Sequence, residues 1–523
     1  MLYSRKSKTK VRSRTTLLVV GASVSALLLS SCGVANPDDS VSNAGSDTVR
    51  IVLPQEPTNL DACESTLTST SVVIRTNVVE SLVNRDAKTG ELQPLLATGW
   101  EATGEKEWTF TLREGVTFHD GTAFNADAAV FSINRTVNSD LPCNAAGFFS
   151  GATIDAEAID DTTLRLTTEA ADPILPLRMS FIAMASAATA PDEIVREAIG
   201  TGPYVIDQWD AGQKLTLKRN DSYWGDLPTF PVKAEYQWRA EGTIRAGMVT
   251  TGEAEIAMDI GPDDGAGDLG KTFQNNETVA LRFSGEIAPL NDIRVRRAIN
   301  YAIDKEAINA GLYDGVNDVA SQLMPPGTLG YNEGIEPWPF DMDKAKDLVA
   351  KAKADGVPVD EKITVIARNA QFPKVTEMAQ IIEAQMSEAG LNVKIQMVDA
   401  VRALEFQMRP HPTDQGAIAL LVQHGNSAGD AAFTVERNML SDGLQSAFGN
   451  AELDAMLTEA ATRSGDKRQR AYAAALEYQN ESIVQWANLI HMTGMIAVAD
   501  SVSFEPNNTS RGQISLVDIT PAN

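Results

Sequence analysis

A strand, a helix and a second strand follow one another over residues 363–398, and this order restricts the fold more than any other pattern in the chain. One apolar segment, ITVIAR, begins at Ile363, and another, LNVKIQMV, begins at Leu391. Between them, apolar residues recur every three or four positions from Pro373 to Ala389, which predicts a helix with one buried face. Strands joined in this way run parallel with a right-handed crossover. The second half of the chain is therefore predicted to be an α/β domain.

Other segments of the chain also predict a mixture of helices and strands. The segment LNDIRVRRAINYAIDKEAI predicts a helix capped by Asn291 or Asp292, and DMDKAKDLVAKAKADG predicts one that begins at Asp341 and stops at Gly356. In the first half, WTFTLR alternates apolar and polar side chains from Trp108 onward, as a half-buried strand does. Helices and strands thus alternate along much of the chain.

The N-terminal segment has the composition of a secretory signal. Its cations are followed by an apolar stretch from about Leu17 to Leu29, then by Ser30, Ser31 and Cys32. The apolar stretch is shorter than the roughly 18 residues that a membrane-spanning helix needs. Residues 1–31 are therefore predicted to be removed, which would place the rest of the chain outside the cytoplasm.

Cys32 stands where a lipid anchor would be attached. The sequence Leu29-Ser30-Ser31-Cys32 resembles the bacterial lipobox, which implies a diacylglycerol-modified Cys32 at the mature N-terminus. The alternatives are an ordinary signal peptide with a chance cysteine, or an N-terminal membrane helix. Residues 32–47, GVANPDDSVSNAGSD after the cysteine, are small and polar and predict a flexible tether. The expected location is the outer face of the cytoplasmic membrane.

Charge and composition exclude several functions. The chain has 523 residues, enough for two or three domains, and a net charge of -26. So acidic a surface repels phosphate backbones and anionic lipid headgroups, so we expect no nucleic-acid partner. The four histidines show no close metal-ligand spacing, so neither a metal nor a cofactor is expected.

Two cysteines remain if Cys32 carries lipid. Cys63 and Cys143 form one possible disulfide in an oxidising compartment, and the alternative is two separate free thiols.

Several blocks resemble one family in the same order. They are PLLATGWEATGEKEWTFTLREGVTFHDGTAFNADAAVFSINR from Pro94, GTGPYVIDQWDAGQKLTLKRNDSYWG from Gly200, LNDIRVRRAINYAIDKEAI, and MPPGTLGY from Met324. The chain resembles extracellular solute-binding protein family 5, the binding lipoproteins of oligopeptide, dipeptide and nickel-type ABC importers. The resemblance implies an α/β fold of the periplasmic-binding-protein type II kind (cluster C), a two-lobed clamp with an extra sub-domain inserted in domain I. The implied division is domain I at 48–70, 195–285 and 490–523, the inserted sub-domain at 71–194, and domain II at 286–489.

The resemblance also implies a mechanism in which the protein binds and releases a solute without catalysing a reaction. Two lobes joined by crossings near residues 285 and 490 would close on a solute, and the permease subunits of the importer would recognise the closed form. A monomer that captures an oligopeptide or dipeptide is expected. Non-peptide solutes such as a metal chelate, an opine, a sugar or a haem-like molecule stay open as alternatives.

Candidate ligand residues follow from the same resemblance. A peptide amine needs a carboxylate partner, which in the family follows a strand of domain II. Here that stretch departs from the family pattern. It places Asn426 near the anchoring position, His424 near the family's tryptophan, and Asp430 near a later aspartate. Either Asp430 has taken the anchoring role, or the ligand has no free amine there.

Three weaker candidates lie elsewhere. Glu64 and Thr66 follow the first strand, and His491 lies in a segment that resembles the last strand lining the cleft. The alternatives are a solvated surface acid for Glu64 and a core histidine for His491.

Two other functional classes are conceivable. Residues Gly425 to Gly429 read G-x-S-x-G and are followed by acids and His491, the chain order of a serine hydrolase with Ser427 as nucleophile. That interpretation leaves the signal and the family blocks unexplained, so an enzyme is not expected. A lipid-anchored surface protein without transport is the third class.

Overall fold

Eleven strands of the computed structural model form one mixed sheet. The structure describes residues 47–149, 151–369, 371–412, 414–509 and 511–522. The predicted signal peptide, Cys32 and all of the tether except its last residue lie outside this range. In chain order the strands are β1 (Thr48–Leu53), β2 (Val83–Arg85), β3 (Leu92–Pro94), β4 (Ala97–Ala102), β5 (Glu107–Leu112), β6 (Ile154–Asp160), β7 (Thr163–Thr168), β8 (Tyr204–Asp210), β9 (Lys214–Arg219), β10 (Lys233–Trp238), β11 (Ile256–Ala257), β12 (Gly270–Phe283), β13 (Asp318–Val319), β14 (Lys362–Arg368), β15 (Asn392–Val398), β16 (Ala417–Gly425), β17 (Trp486–Val498), β18 (Val502–Ser503) and β19 (Thr520–Pro521).

The helices lie mainly in the second half. They are α1 (Thr68–Ile74), α2 (Ala126–Val137), α3 (Leu175–Met179), α4 (Gly242–Thr250), α5 (Ile293–Ala302), α6 (Lys305–Tyr313), α7 (Met342–Ala354), α8 (Val375–Glu388), α9 (Ala400–Gln407), α10 (Ala432–Asn438), α11 (Ala451–Ala461) and α12 (Gly465–Tyr478). Short 3₁₀ turns lie at Ala62–Glu64, Asn144–Phe149, Pro262–Asp264, Gly267–Leu269 and Leu516–Asp518, and a π-turn at Gln479–Ile483 follows α12.

The predicted strand, helix and strand are β14, α8 and β15. The two strands pair in parallel from Lys362 opposite Asn392 to Arg368 opposite Val398, so the prediction is confirmed. The cap of α5 is Asp292, whose side chain accepts from the Arg294 amide. The segment predicted as one helix there is two, because Ile303 is extended and Asp304 caps α6. Asp341 caps α7 as predicted.

Two long strands, β12 and β17, lie in the middle of the large sheet. They join the part formed by β14, β15 and β16 to the part formed by β1 and β8–β11. The sheet runs β15-β14-β16-β12-β17-β11-β1-β10-β9-β8, with β13 beside β17. The first residues of β12 pair with the end of β17, and its later residues pair with both β17 and β16. A register shift between Gln274 and Thr278 separates these halves, and Asn276 there has a φ of 56°. This break precedes the crossing predicted near residue 285, while residue 490 lies within β17.

Three large hydrophobic cores surround this sheet. One is built from residues 279–490 together with Phe181. The second lies around β1, β8–β11 and the C-terminal segment, and the third around the four-stranded sheet β4-β5-β7-β6. Phe181 is the exception in the first core, since it follows α3 and its sequence neighbours belong to the third. The predicted domain boundaries remain a prediction.

Candidate functional site

A cavity of about 180 Å³ lies beside the register shift of β12. Segments distant in the chain line it: the residues around α1, the end of β2, the bend of β12, the end of β16 and the C-terminal segment near residue 512. A second cavity of about 220 Å³ also contains Gly425, Asn426 and Ser427 in its wall, and is closed by Phe433 and Arg437 from α10. The two cavities therefore meet at the end of β16, and we call them together the central cleft.

The loop after β16 is held by Asn426. This side chain is buried, and its amide donates to the Asp430 carbonyl and to Thr434 Oγ1, each at 2.9 Å. Its oxygen accepts from the Gly429 amide at 2.9 Å. Because these groups are used within the loop, the Asn426 side chain shapes the wall of the cleft from behind.

Asp430, one of the two alternatives for the amine anchor, is bound to Arg468 in the structure. Its oxygens accept from Arg468 Nη2 at 2.8 Å and Nε at 2.9 Å, and the two side chains are 3% and 2% exposed. Asp430 also accepts from the Ala432 amide. Asp430 does not line either cavity of the central cleft. Because a buried guanidinium already compensates this carboxylate, and the residue lines neither of these two cavities, the geometry favours a structural role.

His424 lines the second cavity as a neutral ring. Its Nε2 lies 2.8 Å from Thr434 Oγ1, and burial next to Arg437 lowers its pKa to about 4. At neutral pH the ring therefore contributes hydrogen bonding but no charge.

Of the weaker candidates near the first strand, Thr66 lines the cleft and Glu64 does not. Thr66 lines the first cavity and donates to Asn144 Oδ1 at 2.7 Å. Glu64 is 8% exposed rather than solvated, accepts from the Asn144 amide at 3.3 Å, and lines neither cavity. Its pKa is raised by burial. Cys63 next to it is bonded to Cys143, with 5.2 Å between Cα atoms, which ties the α1 region to the 3₁₀ turn after Cys143.

His491 is buried in β17. Its Nδ1 lies 2.8 Å from Thr278 Oγ1, and neither cavity includes it. Burial lowers its pKa to about 4, whereas the ordinary value is 6.5.

This shift predicts a pH dependence of stability. As the pH falls below 6.5 the unfolded chain protonates this histidine, but the folded chain does so only near pH 4. The stabilisation is complete above pH 6.5 and is lost toward pH 4, by about 3 kcal/mol at most. His491→Gln should therefore flatten the dependence of the unfolding free energy on pH in this window, measured by urea denaturation. An unchanged slope would contradict the assignment.

Sequence reasoning missed the charged residues of the cleft. Arg75, Arg85, Glu277 and Arg511 line the first cavity, and Arg437 lines the second. Arg511 pairs with Glu277, and Gln423 Nε2 donates to the same carboxylate at 2.6 Å. A sequence signal existed for Arg75, the lone cation within SVVIRTNVV. No local pattern marks the others, of which Arg85 ends β2, Glu277 lies in β12, Arg437 lies in α10 and Arg511 lies in the polar C-terminal segment.

The hydrolase alternative lacks its catalytic contacts. Ser427 lines both cavities, but the His424 ring bonds Thr434 and the His491 ring bonds Thr278. In the part of the chain that the structure describes, no hydrogen bond joins Ser427 to a histidine. A serine nucleophile needs such a base within hydrogen-bond reach.

The described residues contain no cluster of three or more His, Cys, Asp or Glu side chains placed to hold a metal ion. Among the helices over the same residues, none combines the length and apolar character needed to cross a membrane.

Comparison with known proteins identifies relatives along most of the chain. The profile of the family described as "Bacterial extracellular solute-binding proteins, family 5 Middle" matches residues 91–442. The chain is 27% identical to the dipeptide-binding protein of Escherichia coli K12 over 369 residues, 63% of this chain and 67% of the relative. It is 28% identical to heme-binding protein A of Haemophilus influenzae over 472 residues, 82% of each chain.

Solved structures share the fold. The periplasmic binding protein DppA of Helicobacter pylori, in complex with the peptide STSA, superimposes with a TM-score of 0.77 at 21% identity, covering 91% of this chain and 98% of that chain. The predicted α/β fold, a type II periplasmic-binding-protein clamp, is thereby confirmed.

Proposed function

Because the chain belongs to the bacterial extracellular solute-binding proteins of family 5, we propose that it captures oligopeptides or dipeptides for an ABC importer. In this proposal the chain is a monomer, tethered through lipid on Cys32 to the outer face of the cytoplasmic membrane, and it delivers its solute to the permease subunits. The curated relatives are substrate-binding proteins, and no enzymatic activity is proposed here.

The observation that carries the proposal is the position of the central cleft. It lies where β12 and β17 connect the two parts of the sheet, and segments from both parts form its walls. A solute there contacts both parts only when they are close together, so binding shifts the population toward the closed form.

Contacts between aromatic residues that line the two cavities support such a closure. Phe181 stacks on Phe148 with ring centroids 3.9 Å apart, and Phe433 of α10 lies 5.6 Å from Phe181. Arg178 donates to Glu436 at 2.8 Å beside these rings. An apolar contact next to an ion pair is suited to an interface that must open and close.

The proposal is tested by solution scattering of the full chain. Adding a tryptic peptide mixture should decrease the radius of gyration, and mass spectrometry of the denatured complex should identify the bound solute. A radius that stays constant with every solute mixture, together with no released molecule, would contradict the proposed function.

Lipid attachment is tested separately. In a bacterial host, the parent chain should incorporate labelled palmitate and fractionate with membranes, whereas Cys32→Ala should do neither. Cys63→Ser is the matched control because it keeps Cys32, and it should still be labelled. Labelling of the Cys32→Ala chain would contradict the anchor.

A further inference from the structure

Three arginines of the central cleft have no carboxylate partner among the described residues. They are Arg75 and Arg85 in the first cavity and Arg437 in the second. Each is only partly exposed. Partly burying an uncompensated cation is costly, so three of them in one cleft need an explanation.

Arg75 is held by neutral groups alone. Its Nη2 donates to the Ser180 carbonyl at 3.2 Å, and its guanidinium lies 5.0 Å from the centroid of the Phe181 ring. Burial lowers its pKa to about 10, so it is still charged at neutral pH.

Arg85 forms no ion pair among the described residues. Its side chain packs against Gly429, where no Cβ fits. The charges of Asp86 and Asp430 act on its guanidinium from a distance. Asp430 is bonded to Arg468, and Asp86 accepts from the amides of Lys88 and Thr89 at 2.9 and 2.7 Å. Burial lowers the pKa of Arg85.

Arg437 lies over Gly147 and near the neutral His424. Burial is the cause that lowers its pKa.

The carboxylates that line the cleft do not balance these charges. Glu277 and Asp259 both pair with Arg511, and Glu436 and Asp172 both pair with Arg178, so none of these ion pairs involves Arg75, Arg85 or Arg437. Four arginines and two glutamates line the cleft, so its wall carries more positive than negative side chains inside a chain of net charge -26. This excess of arginine is opposite in sign to the net charge of the chain.

We infer that the captured solute is a small acid with at least two carboxylate or phosphate groups, and this inference rests on the proposed function. The guanidinium fork of arginine matches both groups through paired hydrogen bonds. The two cavities, of about 180 and 220 Å³, meet at Gly425. Each is below the usual range of about 300–1,000 Å³ and only together do they reach its lower end, which suits a molecule the size of a dipeptide. The buried pairing of Asp430 removes the carboxylate expected to receive a peptide amine, which agrees with recognition through acidic groups.

Ion-exchange fractions of a tryptic digest of casein test the charge of the solute. Thermal unfolding of the full chain should be shifted upward by the anionic fraction alone. Stabilisation by the neutral or cationic fraction would overturn the inference and leave the proposed function intact. Stabilisation by no fraction would contradict both. Treating the anionic fraction with alkaline phosphatase distinguishes the sources, since only phosphate-dependent stabilisation would be lost.

A defined pair of probes then tests the arginines. Glu-Glu should bind more tightly than its uncharged analogue Gln-Gln in calorimetry, and Arg75→Gln or Arg437→Gln should each weaken Glu-Glu binding roughly tenfold to a hundredfold. Arg165→Gln is the matched control, because Arg165 forms an exposed pair with Glu157 away from the cleft. Circular dichroism checks that each variant is folded. Equal affinities for Glu-Glu and Gln-Gln, or arginine variants that bind Glu-Glu like the parent, would overturn the inference.

Discussion

Replacing Arg468 by methionine is expected to lower the free energy of unfolding by about 3–5 kcal/mol. The substitution leaves Asp430 buried without its guanidinium partner, whose two nitrogens lie 2.8 and 2.9 Å from its oxygens. It also removes the bond from Arg468 Nη1 to the Ala461 carbonyl at 2.8 Å. Urea denaturation followed by fluorescence and by circular dichroism measures the loss.

The matched control is Arg463→Met. Arg463 pairs with Glu459 at 2.7 Å, but the side chains are 47% and 65% exposed, so the expected loss is about 0–1 kcal/mol. The double variant Asp430→Leu, Arg468→Met should recover part of the stability, because no charge is then left unpaired. Equal losses for Arg468→Met and Arg463→Met would show that the buried pair does not organise the loop after β16.

Phe181→Ala is expected to weaken solute binding roughly a hundredfold, a cost of about 3 kcal/mol. Phe181 is 2% exposed and packs into the core of residues 279–490, although it belongs by sequence to the other side of the cleft. In the proposed clamp this contact exists only in the closed form, so its loss lowers the closed population and the apparent affinity with it. Calorimetry with the solute identified from the complex measures the change.

Phe340→Ala is the control for this prediction, since Phe340 is 48% exposed and should leave both affinity and stability unchanged. If Phe181→Ala instead lowers the unfolding free energy and leaves the affinity unaltered, Phe181 belongs to a static core. The clamp would then close without it.

Much of the secondary structure was predictable from local patterns. The parallel pair β14 and β15, the caps Asp341 and Asp292, and the alternating strand β5 followed from residues close together in the chain. The possible pairing of Cys63 with Cys143 came from counting cysteines, and the structure contains that bond. The division of one predicted helix into α5 and α6 was missed, because the apolar spacing continues through the break at Ile303.

The cleft was much less predictable. Asp430 was one of two candidates for the anchoring carboxylate, but it is paired with Arg468, which lies beyond α10 and α11 in the chain. The partners of Glu277 and Arg75 also come from distant segments, Arg511 and Ser180.

The order of amino acids alone was sufficient for the fold class and the family, because apolar periodicity, caps and motif blocks act over short stretches of chain. Which charges face the cleft without a partner was decided only by the packing of distant segments. The free energy of a buried charge depends on every group around it, and those neighbours are brought together by the tertiary structure.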